Sequence, residues 1–217
     1  MKKFLFFLFL SIVLSACHNK TLDLPQVAVS GVSEIQNYSQ IWVFYKHDKD
    51  AIKAEINKNN TISTTHWIVN IDKRLPLSEV VPVFHMIKAK RAKKTIHSSE
   101  NTKDYLSYSD VKDNKIALFS MDSIQYILLP KADIDVMLSE KSCKNTLKFS
   151  PDIIKINEQE ILPNLWSSEQ LVGLDSGCIQ LVFDEKLSYQ EYMQYRLELG
   201  VYLKPEQEIE PTEFIFK

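Results

Sequence analysis

The residues able to do chemistry are few and widely spaced. Five histidines stand at His18, His47, His66, His85 and His97, and three cysteines at Cys17, Cys143 and Cys178. A metal site on a helix needs two histidines one turn apart, and a zinc knuckle needs paired cysteines. Neither spacing occurs, so no metal ligand and no cofactor is expected, and the histidines read as surface or half-buried groups. No Gly-x-Ser-x-Gly nucleophile elbow is present. The four glycines, Gly31, Gly173, Gly177 and Gly200, are too far apart to build a phosphate-cradling loop. Turns must then fall to Asn, Asp, Ser and Pro.

Asp72 and Asp184 are candidates for a pair of catalytic carboxylates. Each also follows a strand-like run, where an aspartate caps the turn out of the strand. The turn reading is favoured, and no catalytic residue is assigned. Lys88, Lys90, Arg91, Lys93 and Lys94 form a basic run. It could meet acidic lipid or glycan phosphates. The favoured reading is charge suited to a helix C-terminus plus a solvated face.

Cys17 is the most informative cysteine. Lys2 and Lys3 are followed by an uncharged apolar run from Phe4 to Leu14, and then by Ser15-Ala16-Cys17. A basic n-region, a short apolar core and small residues before a cleavage point make a secretory signal. The run is too short for a spanning helix of about 20 residues. Leu14-Ser15-Ala16-Cys17 resembles the bacterial lipoprotein box. That implies cleavage after residue 16, lipidation of Cys17 by acyl chains such as palmitate, and membrane attachment through them. No aspartate follows Cys17 and no acidic cluster lies near it. The periplasmic face of the outer membrane is therefore expected over the inner membrane. In that oxidising compartment Cys143 and Cys178 are an even pair, read either as a disulfide or as two small buried thiols.

Hydrophobic residues at 45% and aromatics at 11% argue for a packed core rather than disorder. A net charge of −2 gives no electrostatic footprint for nucleic acid, and none is expected as a partner. Residues 17–38 are polar and weakly patterned, and read as a lipidated tether. Ile41–Tyr45 reads as a strand. A short helix is expected within Asp48–Asn59, with Ile52 and Ile56 on one face. Trp67–Ile71 reads as a strand and Asp72–Pro76 as a turn. The next helix is expected to be capped by Ser78, with Pro82 in its first turn and Val80, Phe84 and Ile87 on one stripe. Lys115–Phe119 and Ser123–Leu129 are strand candidates, and Asp133–Leu138 a short helix. Ile153–Ile161 reads as a strand or hairpin, Ser167–Leu171 as a short helix and Ile179–Phe183 as a strand. A helix follows over Ser188–Leu199, ended by Gly200. Glu213–Phe216 closes the chain as a strand, expected at a sheet edge where it could recruit a partner.

Aligning Asp72 with Asp184 brings Leu75 onto Leu187 and Glu79 onto Glu191. Trp67, Val69 and Ile71 then fall on Ile179, Leu181 and Phe183. Chance similarity and a structural repeat both remain open at this level. The elements give an α/β (α+β) fold of two-layer strand–helix units. The expected division is a signal at 1–16, a tether at 17–38, a first unit at 39–130 and a second at 131–217.

Two stretches resemble the periplasmic domain of the ExbD/TolR biopolymer-transport family. One is Ile153–Ile161, with Cys178–Asp184 and then a helix ending Glu198-Leu199-Gly200-Val201. The other is Asn59–Leu75, which carries Asp72-Lys73-Arg74-Leu75. The resemblance implies two ExbD/TolR-like units and a tendency to dimerise or to bind envelope proteins. The family's transmembrane helix with its acidic residue has no counterpart in the short signal, so a proton-relay role does not carry over. The expectation is a membrane-anchored, non-enzymatic scaffold or binding partner linked to biopolymer transport. The alternatives are an envelope hydrolase or glycan-active enzyme, and a carrier of a small apolar ligand.

Overall fold

The computed structural model describes residues 20–49, 51–57, 61–93, 102–139 and 143–217. The expected signal (1–16), Cys17, His18, Lys94 and His97 lie outside the described residues. Within them, two mixed sheets of six strands are combined with three helices, as an α+β fold requires. The first sheet holds β1 (Gln26–Val27), β2 (Tyr38–Asp48), β3 (Ala51–Asn57), β4 (His66–Ile71), β5 (Asp104–Asp110) and β6 (Lys115–Ser120). Its order is β1-β5-β4-β2-β3, with β6 also paired to β5. The second holds β7 (Gln125–Leu129), β8 (Asn145–Phe149), β9 (Ile154–Ile156), β10 (Gln159–Ile161), β11 (Gly177–Asp184) and β12 (Gln207–Phe216). Its order is β10-β9-β8-β11-β12-β7. The helices are α1 (Leu77–Ala92), α2 (Lys131–Ser139) and α3 (Tyr189–Tyr202).

The two sheets share a plan. In the first, β2 carries antiparallel β3 on one side and parallel β4 on the other; α1 follows β4, and β5 adds in parallel. In the second, β8 carries antiparallel β9 and parallel β11; α3 follows β11, and β12 adds in parallel. Matching Asp72 to Asp184 therefore matches strand to strand and helix to helix. The two turns also meet. Leu77 N donates to Leu187 O at 2.9 Å, and Tyr189 N to Leu75 O at 2.7 Å. Ser78 N donates to Glu185 O at 2.9 Å, and Gln190 N to Lys73 O at 3.0 Å. Each bond has its counterpart at the equivalent position. An approximate two-fold axis thus runs between Pro76 and Ser188, which form an antiparallel bridge.

The inward residues of both sheets pack on α1 and α3 in one core. Trp67, Val69 and Ile71 of β4 and Ile179, Leu181 and Phe183 of β11 are all buried in it. Phe84 of α1 stacks on Tyr126 of β7 at 4.4 Å and lies 6.4 Å from both Tyr189 and Tyr192 of α3. Side chains of this size each contribute about 1.5–3 kcal/mol by leaving water. α3 starts with a capping box: the Glu191 carboxylate accepts from Ser188 N at 2.7 Å, and Ser188 Oγ accepts from Glu191 N at 3.3 Å. Such a cap contributes about 1 kcal/mol.

Several expectations are corrected. The helix expected in Asp48–Asn59 is strand β3, paired antiparallel to β2. Ile52 and Ile56 mislead because residues four apart share a face in a strand as well as in a helix. α1 begins at Leu77 behind Pro76, so Ser78 is inside it and Pro82 sits in its second turn on the exposed side. Gly200 does not end α3, which runs to Tyr202. The stop comes from Pro205, which disfavours helical backbone in the residue before it. The boundary at 130 is displaced, because β7 pairs with β12 and belongs to the second sheet. The tether is not free along its length: Gln26 and Val27 pair with Ser109 and Asp110 of β5.

The closing strand is not an edge. β12 lies between β11 and β7. The outer strands are partly blocked as well. Ala54 N of β3 donates to Glu79 Oε2 at 2.9 Å, and His85 Nε2 meets Tyr126 O of β7 at 2.8 Å. Leu118 N of β6 donates to Val32 O at 2.7 Å. Partner recruitment through the terminal strand therefore loses its structural basis.

Candidate functional site

A large concavity lies on the face of the first sheet turned away from α1. Along β2, Ser39, Ile41 and Val43 are buried inward, while Gln40 and Trp42 alternate to the other face. Ile68 and Asn70 of β4 join them by the same alternation. Residues 20–37 frame this face as a strap: Leu22, Leu24 and residues 33–36 line it, while Val27 and Val29 turn into the core shared with α1 and α3. Lys20 pairs with Glu55 of β3, lies over the Phe44 ring, and holds the Glu55 carboxyl below the usual carboxylate range. Lys73 N donates to Asp23 O at 2.8 Å. Gln26 N donates to Gln190 Oε1 of α3, and Gln190 Nε2 returns a bond to Gln26 O, both at 2.8 Å. Tyr108 donates its hydroxyl hydrogen to Val29 O at 3.1 Å, and a Cβ at Gly31 would collide with that hydroxyl. The strap then pairs with β6 at Val32 and returns to β2 through Asn37, at φ 54°.

Sheet and strap enclose a cleft of about 850 Å³. Leu22, Leu24 and Ile35 form strap-side walls, Trp42 and Ile68 the floor, and Ile116 and Leu118 of β6 the far side. This size falls within the about 300–1,000 Å³ usual for small-molecule sites. The polar floor groups are largely engaged with one another. Asn70 Nδ2 donates to Gln40 Oε1 at 3.3 Å and to Ile41 O at 3.4 Å, and Ser107 Oγ donates to Asn70 Oδ1 at 2.8 Å. Glu34 is the single charged residue of the described lining, which contains no histidine or cysteine. Chemically, the cleft is an apolar surface with a neutral amide seam.

The residues singled out from sequence lie elsewhere. Asp72 and Asp184 occupy equivalent turns. Asp72 Oδ1 accepts from Arg74 N at 3.0 Å, and Asp184 Oδ1 from Lys186 N at 2.8 Å. Asp72 is buried, and Arg74 also holds it with two guanidinium bonds of 2.8 and 2.7 Å. Burial alone would raise its pKa, but the Arg74 side-chain and backbone bonds and Asp23 N–H outweigh it and hold the carboxyl below the ordinary value. Cys143 and Cys178 are disulfide-bonded, with Cα atoms 5.1 Å apart. Glu210 Oε1 lies 3.4 Å from Cys143 Sγ. These three side chains form the one cluster of potential metal-binding atoms among the described residues. A bonded cystine offers no thiolate to a metal.

The basic run is mostly consumed by the fold. Arg91 binds Asp104 Oδ1 at 2.5 Å, donates to the Ser63 and Thr65 carbonyls, and stacks 3.7 Å from the Trp67 ring centroid. Lys88 Nζ donates to Met121 O and Asp122 O at 3.0 and 3.1 Å. Among the histidines, His66 Nδ1 accepts from Lys103 N at 3.0 Å, and His85 bonds Tyr126 O.

The core between the units holds a polar group that sequence reading missed. Glu213 of β12 is fully buried, accepts from Arg196 Nε at 2.8 Å and from Tyr192 Oη at 2.8 Å, and Tyr192 meets Tyr126 Oη at 3.2 Å. Burial pushes both tyrosines well above their ordinary range, and the Glu213 charge adds to it. None of these four residues lines the cleft of the first sheet. All four side chains belong to the second unit, where the group ties α3 to β12 and β7.

The chain matches no family model, no curated protein and no solved structure.

The cleft itself was also missed. Its signal was present: Leu22, Leu24 and Ile35 are apolar in a segment read as tether, and Gln40 and Asn70 are amides within the apolar runs of β2 and β4.

Proposed function

We propose that this protein is a non-enzymatic envelope lipoprotein, anchored through acylated Cys17, that binds its ligand or partner in the cleft of the first sheet. The observation that carries this reading is the cleft: a large, mainly apolar concavity whose floor amides are bonded to one another and whose described lining offers a single carboxylate, Glu34. Nucleophilic or acid–base catalysis needs a nucleophile within reach of a base, or two carboxylates facing one substrate. The lining is suited to holding a molecule rather than transforming it. The resemblance to ExbD/TolR periplasmic domains accords with a periplasmic binding unit, and the residues after Cys17 favour the outer membrane's inner face. Partner capture moves from the closing strand to the cleft.

The test places a photo-crosslinking amino acid at Gln36, which is exposed and lines the cleft, in living cells. An adduct is expected at Gln36 and none at Glu206, an exposed residue of the second unit. Equal labelling at both sites, or at neither, contradicts the reading. In the same cells, Cys17→Ala should abolish acyl labelling and shift the protein out of the membrane fraction. Retained labelling contradicts the anchor.

A further inference from the structure

The cleft's chemistry and its place beside the anchor together narrow its ligand. Lys20 is where the described chain begins, and it sits against Glu55 and Phe44 at the rim of the strap. Leu22 and Leu24 already line the cleft. Lys20 is three Cα steps from Cys17 along the chain, a reach of at most about 11 Å. A lipid on Cys17 therefore holds this face of the first sheet at the bilayer surface. The second unit has no such link.

The floor discriminates among ligand types. It is a sheet face, not an edge, so it offers no ladder to an extended peptide. Ser107, Asn70, Gln40 and the Ile41 carbonyl already bond one another. A peptide laid here would bury backbone N–H and C=O groups without partners, which is unfavourable. A free anionic headgroup would find Glu34 as the only charge in the described lining, of the wrong sign. A hydrocarbon chain has no polar groups to satisfy. It gains by covering Leu22, Leu24, Trp42, Ile68, Ile116 and Leu118.

We infer that the cleft takes one acyl chain of a phospholipid drawn from the bilayer to which the protein is anchored, with the headgroup left outside. This rests on the cleft being the binding site and on the anchor at Cys17. Trp42 lies on the floor, so an acyl chain in the cleft touches its indole.

The experiment mixes the protein purified from membranes with vesicles of phosphatidylethanolamine and phosphatidylglycerol whose acyl chains carry bromine, a contact quencher of indole emission. Fluorescence should fall. The quenched component should vanish in Trp42→Phe and persist in Trp166→Phe, since Trp166 packs against Phe149, Tyr195 and Tyr202 in the second unit. Ile116 is 58% exposed, so Ile116→Arg places a charge on the cleft wall without disturbing the core. It should abolish the quenching while circular dichroism stays unchanged. Quenching that survives Trp42→Phe, or is untouched by Ile116→Arg, overturns the inference. No quenching at all, with crosslinking at Gln36 retained, overturns the acyl chain and leaves the binding cleft standing. Loss of both removes the cleft reading as well.

Discussion

The two units share a strand order, a turn and a helix, yet they treat their outer sheet faces differently. Residues just before β2 and just before β8 both line the outer face. Before β8 that segment is α2, which lays buried Ile134 on Val182, Phe214 and Phe216 and closes the face with a small apolar core. Before β2 it is the strap, which frames an opening of about 850 Å³. The floor residues match this contrast. Asn70 stands in the first unit where Val182 stands in the second. The ion pair shows the same divergence on the inner face: Arg196 occupies the position equivalent to Phe84 and bonds buried Glu213. One unit's outer face is closed and its helix is ion-paired to its own sheet, while the other's outer face stays accessible. The difference leaves the second unit's outer face closed and gives the first the surface on which we propose binding.

The comparison can be broken most sharply at the ion pair. Arg196→Leu leaves Glu213 buried without its cation and should cost about 3–5 kcal/mol in urea unfolding. Adding Glu213→Leu should recover most of that loss, because a packed apolar pair can replace a buried ionic one. If the double variant is as unstable as the single one, the buried unpaired charge is not the cause of the loss. The disulfide tests the second unit alone. It closes 35 residues of sequence, so its reduction should cost about 3–4 kcal/mol in the chain-entropy account. Intact-mass analysis after alkylation should label neither cysteine without reductant and both with it.

The equivalent turns give the smallest contrast. Asp72→Asn should cost about 1–2 kcal/mol, since Arg74 is half exposed, and Asp184→Asn about 0.5–1 kcal/mol. The Asp72 carboxyl is held below its ordinary value, so the folded state binds its proton less readily than the unfolded chain. Its contribution is therefore present above the unfolded pKa of about 3.9 and lost as pH falls through the lower folded value. Stability measured from pH 6 down to pH 2 should decline less steeply in Asp72→Asn than in the parent. An unchanged slope would mean that the Arg74 pair does not stabilise the fold.

Much of the second unit was legible in the sequence. The Ile153–Ile161 hairpin appears as β9 and β10, turning at Asn157 with φ 54°, as a glycine-poor chain requires. The strand over Ile179–Phe183, the short helix over Asp133–Leu138 and the Ser188 start of α3 were readable because each carried a strong local signal: an apolar run, a stripe or a cap. The alignment of Asp72 with Asp184 was readable too, because turn chemistry is local. Long-range pairing was not. Nothing local tells β12 that β7 will cover its outer side, or β3 that β2 will claim it instead of a helical turn. The strap was hidden for the same reason. Its paired residues Gln26, Val27 and Val32 draw their order from β5, α3 and β6 rather than from their own propensity.

The central claim is that the first unit's outer face is the occupied surface of this molecule and the second unit's is sealed by its own helix. Hydrogen–deuterium exchange on the protein in its native membranes, compared with the same protein stripped of lipid and partners by detergent, tests this most directly. The account predicts slower exchange in the membrane at 33–36 and 116–118, with α2 and β12 unchanged. Equal exchange at the cleft in both states, or protection confined to α2 and β12, would contradict it.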